Sequence, residues 1–349
     1  TVFAAALAVA ATLTLEALAV RSLGPTSEGV IDLRSWAYIR AWLKSIILES
    51  AGTWLSGSVF WPLWLRSAGM RVGPNCEIST IIDTIPDLVT MGSECFLADG
   101  IYLAGPRIDR GTVSLGRTTL GSRTFIGNHA VTIRQNTAWF GHPPLELPRP
   151  EAAGVDRRLT HNPTRLRYLN RVSWELLRCL LPSVPIVLGL WWVAALSAAD
   201  RGLSEPTLIL VASSAVSLLV AAALTAVLLV LKWILLGRVR PGTHALWSCW
   251  CSRWDFLYVA WAMYARGLLA TLEGTLLLSW YLRAMGMTIG RRVLLGYGFA
   301  QVVDPDMLVL DDGATVSAMF QAHTFEDRVL KIDRIHVGRG ATIGDAAVP

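Results

Sequence analysis

Two kinds of hydrophobic pattern alternate along the chain. Long apolar runs occupy 2–20, 179–199 and 206–231, and the last of these contains no charged residue. Each run is long enough to cross about 30 Å of hydrocarbon as a helix. Stretches rich in Trp and Leu, at 36–64 and 254–281, also carry Arg and Glu, so we expect them to lie on the membrane surface or beneath a soluble domain. The pattern predicts three membrane-spanning helices.

A six-residue step follows each of these amphipathic stretches. In LGRTTLGSRTFIGNHAV at 115–131, an aliphatic residue beside a glycine recurs about every six positions, and VGRGATIGDAAV at 337–348 repeats the step. The step suits a parallel β-helix with three short faces, because the aliphatic residue points inward and a small residue fits at the corner. The alternative is glycine-rich loops between ordinary strands, but they do not explain why both copies carry the step at equivalent positions.

The chain contains an internal duplication. An offset of 217 positions aligns WLRSAGM at 64–70 with YLRAMGM at 281–287, and it also aligns Gly73 with Gly290. Such a period contains a whole membrane-plus-soluble module and is far longer than a solenoid repeat. We predict transmembrane and amphipathic helices, a first hexapeptide β-helix domain, a basic linker, a transmembrane pair with amphipathic helices, and a second, truncated hexapeptide domain. These segments are 1–64, 65–135, 136–175, 176–281 and 282–349.

Composition and charge agree with a membrane protein. The chain is 53% hydrophobic and 16% charged, with a net charge of +5. Its arginines gather before the second apolar run and after the third, so the positive-inside rule places the short loop 200–205 outside the cell and the soluble domains in the cytoplasm. Arginines at membrane boundaries, without a recognised binding module, favour the lipid bilayer as partner and argue against nucleic acid.

The sequence predicts no metal site, no disulfide framework and no signal peptide. Only Cys249 and Cys251 are close together among five cysteines, which predicts neither a metal site nor a disulfide framework. No initiator Met or basic segment precedes Val2, and the six-residue pattern is unfinished at the end of the chain, so we expect an internal piece of a longer protein without a signal peptide.

Over about 70–132 and 287–349, the six-residue pattern resembles left-handed β-helix acyltransferases. The wider plan resembles the membrane-bound C-terminal region of the ε-poly-L-lysine synthetase family of non-ribosomal peptide synthetases, in which membrane helices alternate with tandem acyltransferase-like domains. The segments that carry the likeness are ADGIYL at 98–103, TFIGNHAV at 124–131, AWFGHPPLELPRP at 138–150 and FQAHTFEDRVLKID at 320–333. One departure is that only 132–137 separates the second and third segments, so the first domain is expected to have lost turns of its β-helix.

The resemblance implies a fold of membrane α-helices and two left-handed parallel β-helix domains. It also implies that upstream adenylation and carrier domains of the same protein present an aminoacyl thioester on 4'-phosphopantetheine, which this segment joins to an acceptor amine. A stand-alone membrane acyltransferase that uses acyl-CoA is an alternative, as is a non-catalytic scaffold. A homodimer stays open.

A base near pH 7 is needed to take a proton from the acceptor amine, and neutral His suits that task. His323 is the first candidate, because QAHTFEDR interrupts the six-residue step as a loop and places Glu326 and Asp327 near the imidazole. His129 in GNHAV is the second catalytic candidate. The alternative interpretation is that His323 only caps a loop and that the charged residues after it form a turn exposed to water.

Asp99 and Asp109 are candidates to bind the ammonium group of a substrate, although a lone Asp in a loop is more often a turn residue. Neither histidine is repeated, since His323 falls opposite Ala104 and His129 falls opposite Ala346. The two copies are therefore expected to have different roles, or one of them to be inactive.

Overall fold

The computed structural model describes residues 2–103, 105–127, 138–140, 145–147 and 154–344. The helices of this part of the chain are α1 (Val2–Ser22), α2 (Trp36–Leu55), α3 (Trp61–Ser67), α4 (Arg157–Thr160), α5 (Arg165–Arg178), α6 (Ser183–Ala199), α7 (Glu205–Thr207), α8 (Ser213–Leu235), α9 (Cys249–Trp261), α10 (Gly267–Ala270) and α11 (Leu276–Ala284).

The strands are short and fall into two series. The first series is β1 (Gly29–Asp32), β2 (Arg71–Val72), β3 (Glu77–Ile78), β4 (Ile81–Ile82), β5 (Val89–Met91), β6 (Phe96–Leu97), β7 (Ile101–Tyr102), β8 (Arg107–Asp109), β9 (Thr112–Leu115), β10 (Thr118–Leu120), β11 (Phe125–Ile126), β12 (Ala138–Phe140) and β13 (Leu145–Leu147). The second is β14 (Gly242–Ala245), β15 (Thr288–Ile289), β16 (Leu294–Tyr297), β17 (Leu308–Leu310), β18 (Thr315–Ala318), β19 (His323–Glu326), β20 (Val329–Ile332), β21 (Ile335–Val337) and β22 (Thr342–Ile343).

Three helical segments of the described chain are long and apolar enough to cross a membrane, namely Phe3–Ser22, Arg157–Ala199 and Glu205–Leu235. Each contains most or all of one predicted apolar run. Their apolar side chains largely point away from the protein, as Leu210 and Leu218 show with 71% of their surface exposed. Such surfaces suit lipid rather than water, so the prediction of three spans is confirmed as far as length and composition decide it.

The chain forms two compact bodies. The N-terminal body comprises Leu7–Pro163 and Phe325–Val329, and the C-terminal body comprises Thr1–Ala6, Thr164–Thr324 and Leu330–Pro349. The boundary near residue 325 falls inside the hairpin made by β19 and β20, whose turn belongs to the N-terminal body.

Short parallel strands stack in three columns in the N-terminal body. The first column is β2, β5 and β10, the second is β3, β6 and β11, and the third is β4 and β7. In the second column Ile78, Leu97 and Ile126 share one register, and each is at most 1% exposed. The six-residue step therefore places one aliphatic side chain from each turn of the chain in the core.

The C-terminal body repeats this arrangement. Strands β15, β17 and β21 form a parallel first column, and β16, β18 and β22 form a parallel second column. Leu295 and Val316 share a register in the second column and are buried, as Ile78 and Leu97 are in the N-terminal body. The predicted class is thus confirmed at the level of membrane-length helices combined with strands in small sheets, and the duplication extends to strand pairing.

The repeated leader serves the same purpose in both copies. Arg66 at the end of α3 donates from Nη2 to the carbonyl of Gly73 at 2.8 Å, and Arg283 of α11 donates in the same way to Gly290, also at 2.8 Å. A Cβ at either glycine would overlap backbone of the next turn, so only glycine fits there. The shared sequence therefore joins a helix to the first turn of each column.

Both copies also hold a Pro-Asp turn with a buried lysine. Asp87 pairs with Lys44 of α2, whereas Asp306 pairs with Lys232 of α8 at 2.9 Å. Each lysine side chain is 1% exposed. Removing one partner of such a pair costs about 3–5 kcal/mol, because the other charge stays buried.

A β-hairpin leaves the columns in each copy, formed by β8 with β9 and by β19 with β20. Both have a two-residue turn with positive φ, at Arg110 and Gly111 in one and at Asp327 and Arg328 in the other. Turns of this kind match the twist of paired strands. The interruption of the six-residue step expected at QAHTFEDR is therefore a hairpin rather than a loop, because His323–Glu326 is a strand that pairs with β20 through that turn.

Candidate functional site

His323 lies in the C-terminal body at the start of β19, where its ring contacts a buried carboxylate. The distance from His323 Nδ1 to Asp304 Oδ2 is 2.5 Å. Only 1% of the Asp304 side chain is exposed, against 9% for His323. A carboxylate bound at Nδ1 fixes the orientation and tautomer of the imidazole and leaves Nε2 for another partner.

Two further rings complete the group. Trp254 of α9 donates from Nε1 to Asp304 Oδ1 at 2.8 Å, so both carboxylate oxygens are hydrogen-bonded. The indole meets His323 edge-on, with ring centroids 5.0 Å apart. His244 on β14 stacks on Trp250 with centroids 3.7 Å apart, and burial lowers the pKa of His244 while the charge of Asp304 opposes that effect. We call His244, Trp254, Asp304 and His323 the histidine cluster.

The same place in the N-terminal body is apolar. Ile85, which is 1% exposed, belongs there to a compact hydrophobic cluster. Its buried members and the residues packed against them are Ala41, Ile85, Leu88, Val113, Leu115, Ile31, Leu33 and Tyr38. Folding of this module therefore does not require polar groups at this place.

The alignment of the two copies shows which side chains differ. An offset of 219 aligns the two Pro-Asp turns and the residue before each of them, and an offset of 213 aligns β1 and α2 with β14 and α9. The aligned pairs are Ile85 with Asp304, Ala41 with Trp254, and Ile31 with His244. Buried titratable groups cost stability relative to an apolar core, so their presence in one copy alone marks a candidate functional site.

The sequence-predicted carboxylates lie elsewhere. Glu326 ends β19, and Asp327 occupies the hairpin turn, where its Oδ1 accepts a hydrogen bond from Arg328 at 2.8 Å. Its Oδ2 lies 3.6 Å from Nε2 of His161 within the N-terminal body. The carboxylate hydrogen-bonded to His323 is thus that of Asp304, and neither predicted neighbour takes that position.

The other predicted site residues are not brought into the histidine cluster. Asp99 accepts hydrogen bonds from the side chains of Ser79 and Thr80 in the N-terminal body. Asp109 ends the exposed strand β8. His129 lies outside the described residues.

No sequence feature singled out Asp304, Trp254 or His244. Asp304 directly precedes the repeated Pro-Asp pair, and the loss of Ile at that position in the second copy was the signal that could have found it. Among the residues that the structure describes, no group of three or more His, Cys, Asp and Glu is arranged to hold a metal ion.

A second His–Asp pair offers a comparison on the surface of the C-terminal body. His336 Nε2 lies 3.0 Å from Asp311 Oδ2, and their side chains are 60% and 43% exposed. Water screens such a pair, whereas the pair of His323 and Asp304 is shielded from water.

Comparison with known proteins gives one informative match, and no protein-family model matches the chain. The protein named Delta-poly-L-ornithine synthetase from Acinetobacter baumannii (strain AB307-0294) is 31% identical over 354 residues. The alignment covers 92% of this chain but 26% of that relative, so the chain spans about a quarter of the relative's length. Because nearly the whole chain is aligned, the likeness extends to both copies of the repeat.

Proposed function

We propose that the chain forms peptide or isopeptide bonds as a segment of a membrane-bound non-ribosomal peptide synthetase. The observation that carries this proposal is the buried pair of His323 and Asp304 in one copy of a duplicated fold. The name of the 31% identical relative, a synthetase of an amino-acid polymer, supports an aminoacyl group and an amine as the reactants.

The proposal also covers the fold of the chain, its position at the membrane and the domains that supply its substrate. The parallel columns suit left-handed β-helices of the hexapeptide class, and the basic membrane boundaries suit a cytoplasmic position for both soluble bodies. Adenylation and carrier domains of the same protein would supply the aminoacyl thioester on 4'-phosphopantetheine. The N-terminal copy, with its apolar cluster at the equivalent place, supports the structure rather than the chemistry.

The histidine cluster performs the proton transfer in this proposal. The acceptor ammonium first loses one proton to water. As the amine nitrogen then attacks the thioester carbonyl, His323 Nε2 takes a second proton from it, and Asp304 stabilises the imidazolium that results. A carbon–nitrogen bond forms, the carbon–sulfur bond breaks, and the proton passes from His323 to the departing thiolate.

A stand-alone acyltransferase that uses acyl-CoA is the second candidate, because the same base serves acyl transfer from any thioester. The buried polar cluster argues against a purely non-catalytic scaffold, since the N-terminal copy shows that the fold does without it.

Purified chain in lipid nanodiscs distinguishes these functions. It is incubated with ornithine or lysine as acceptor and either an aminoacyl N-acetylcysteamine thioester, which mimics the end of the carrier arm, or acetyl-CoA. Mass spectrometry then detects the amide, and a thiol reagent detects the released thiol. The proposal expects aminoacyl amide from the first donor, whereas N-acetylated amine from acetyl-CoA alone would replace it with the second candidate.

A further inference from the structure

The second column of strands presents a different outward surface in each body. In the N-terminal body Glu77, Phe96 and Phe125 share one outward register, and in the C-terminal body the aligned residues are Leu294, Thr315 and Thr342. Phe96 is only 6% exposed although it points outward, whereas 55% of Leu294 is exposed. This surface is therefore covered in the N-terminal body and exposed in the C-terminal body.

In the N-terminal body this surface is covered by residues 325–329, which form the tip of the hairpin made by β19 and β20. The ring of Phe325 packs on that of Phe96, with centroids 6.0 Å apart. Arg328, in the left-handed conformation with φ of 69°, donates from Nη2 to the carbonyls of Asn75 at 2.6 Å and Cys95 at 3.3 Å.

The Arg328 guanidinium makes further hydrogen bonds from Nη1. It donates to Asp327 Oδ1 at 2.8 Å and meets His161 Nε2 at 3.1 Å, and its side chain is 1% exposed. A guanidinium with this many partners fixes the position of the turn that carries it. The hairpin tip is thus bound through one aromatic ring and one arginine.

The C-terminal body has the same receptor positions without a cover among the described residues. Arg292 aligns with Asn75 and shares its left-handed conformation, with φ of 56° against 55°. Ala314 aligns with Cys95 and is equally buried. A cleft of about 210 Å³ opens beside them, and its lining includes Glu273, Leu294, Tyr297 and Thr315.

We propose that this outward surface, formed by Leu294, Thr315 and the carbonyls of Arg292 and Ala314, binds the tip of a β-hairpin from a further module of the same kind. The occupant presents an aromatic residue and, three positions later, an arginine in the left-handed conformation. The arginine would donate to main-chain carbonyls, and both bodies have such carbonyls at the aligned positions. Binding of the arginine therefore does not depend on the side chains that differ between the two bodies. The exposed Leu294 provides the apolar surface for the aromatic ring.

The test uses a labelled, head-to-tail cyclised peptide with the sequence of residues 323–332 as the probe, because an isolated two-stranded hairpin is marginally stable. Fluorescence anisotropy measures its binding to the purified chain up to about 1 mM chain. We expect saturable binding that weakens about tenfold or more when the probe arginine is replaced by Ala.

Matched variants locate the site. Thr315→Arg places a bulky cation on the proposed surface, and Thr288→Arg makes the same change at an outward position of the first column. Binding that is lost in T315R and retained in T288R supports the proposal. No saturable binding, or equal binding to both variants, overturns it, and a probe-free dimer of the chain that T315R disrupts would assign the surface to a second copy instead. Amide formation in the nanodisc assay is read separately, so failure here leaves the proposed function unaffected.

Discussion

The Ile85 cluster and the histidine cluster occupy the same place in two copies of one fold, and they differ in chemistry rather than in architecture. Ile85 packs among aliphatic residues, while Asp304 at the aligned position binds two ring nitrogens and is equally buried. The first arrangement shows what the fold needs for stability. The polar groups of the second copy cost stability relative to such an apolar core, and the difference between the two clusters therefore marks them as the candidate functional site.

Other exchanges between the copies behave differently. Asp87 and Asp306 both keep a buried lysine partner, although the lysine comes from α2 in one copy and from α8 in the other. The ion pair is present in both copies although a different helix provides the lysine, as expected for a contact that stabilises the fold. Among the described residues of the N-terminal body, the histidine cluster has no such counterpart.

The largest effect is expected from Asp304→Asn. The amide cannot stabilise the imidazolium of His323, so amide formation should fall by about 10²–10⁴-fold. Asp311→Asn, in the exposed pair with His336, is the matched control and should keep the wild-type rate within about twofold, because exposed pairs contribute little. Equal losses in both variants would contradict the assignment.

Exchanging residues between the copies should change stability in opposite directions. Ile85→Asp buries an unpaired carboxylate and should lower the free energy of unfolding by about 3–5 kcal/mol, while Ile85→Val should cost about 0.5–1.5 kcal/mol. The double variant Asp304→Ile and His323→Ala installs the isoleucine of the first copy and removes the imidazole, and it should keep or raise the denaturation midpoint while abolishing activity. Denaturant titration measures each, and a large loss of stability in the double variant would show that the polar pair is structural.

Trp254→Phe should have a smaller effect. It removes the hydrogen bond to Asp304 Oδ1 but keeps an aromatic ring against His323. A hydrogen bond to a charged group is worth about 1.5–3 kcal/mol, so the rate should fall by about 10–100-fold. An unchanged rate would remove Trp254 from the site.

The smallest effect concerns the pH dependence of stability. Because burial lowers the pKa of His244 below its usual value near 6.5, the unfolded chain binds a proton more readily than the folded one. His244 therefore contributes stability that is present above about pH 6.5 and is lost as pH falls through its lowered pKa. His244→Leu should make the denaturation midpoint less sensitive to pH between about 7 and 5, whereas parallel pH curves for wild type and variant would contradict this.

Much of the fold could be predicted from the sequence, because its signals are local and repeated. Each apolar run, each six-residue step and each copy of the leader is readable within a short stretch of sequence, and these patterns predicted the spans, the stacked turns and the duplication. His323 could also be identified from the sequence, because its segment interrupts a regular pattern. The hairpin was missed because its turn is made by Asp327 and Arg328 in the left-handed conformation, where Gly or Asn is the usual signal.

The partners of His323 could not be predicted in the same way. Asp304 is 19 positions away and Trp254 lies on a helix 69 positions away, so only the folded columns bring the three together. Glu326 and Asp327 are closer in sequence, but both belong to the N-terminal body, whereas His323 belongs to the C-terminal body. Proximity along the chain was therefore a poor guide to the carboxylate that orients the histidine.

If the buried His323 is the base for amide formation, the reaction should depend on it far more than on the exposed His336. We would measure the rate of amide formation in nanodiscs by His323→Gln beside His336→Gln, with folding checked by the denaturation midpoint. His323→Gln should lose about 10²–10⁴-fold, while His336→Gln should keep the wild-type rate. A fully folded His323→Gln protein that forms amide at the wild-type rate would contradict it.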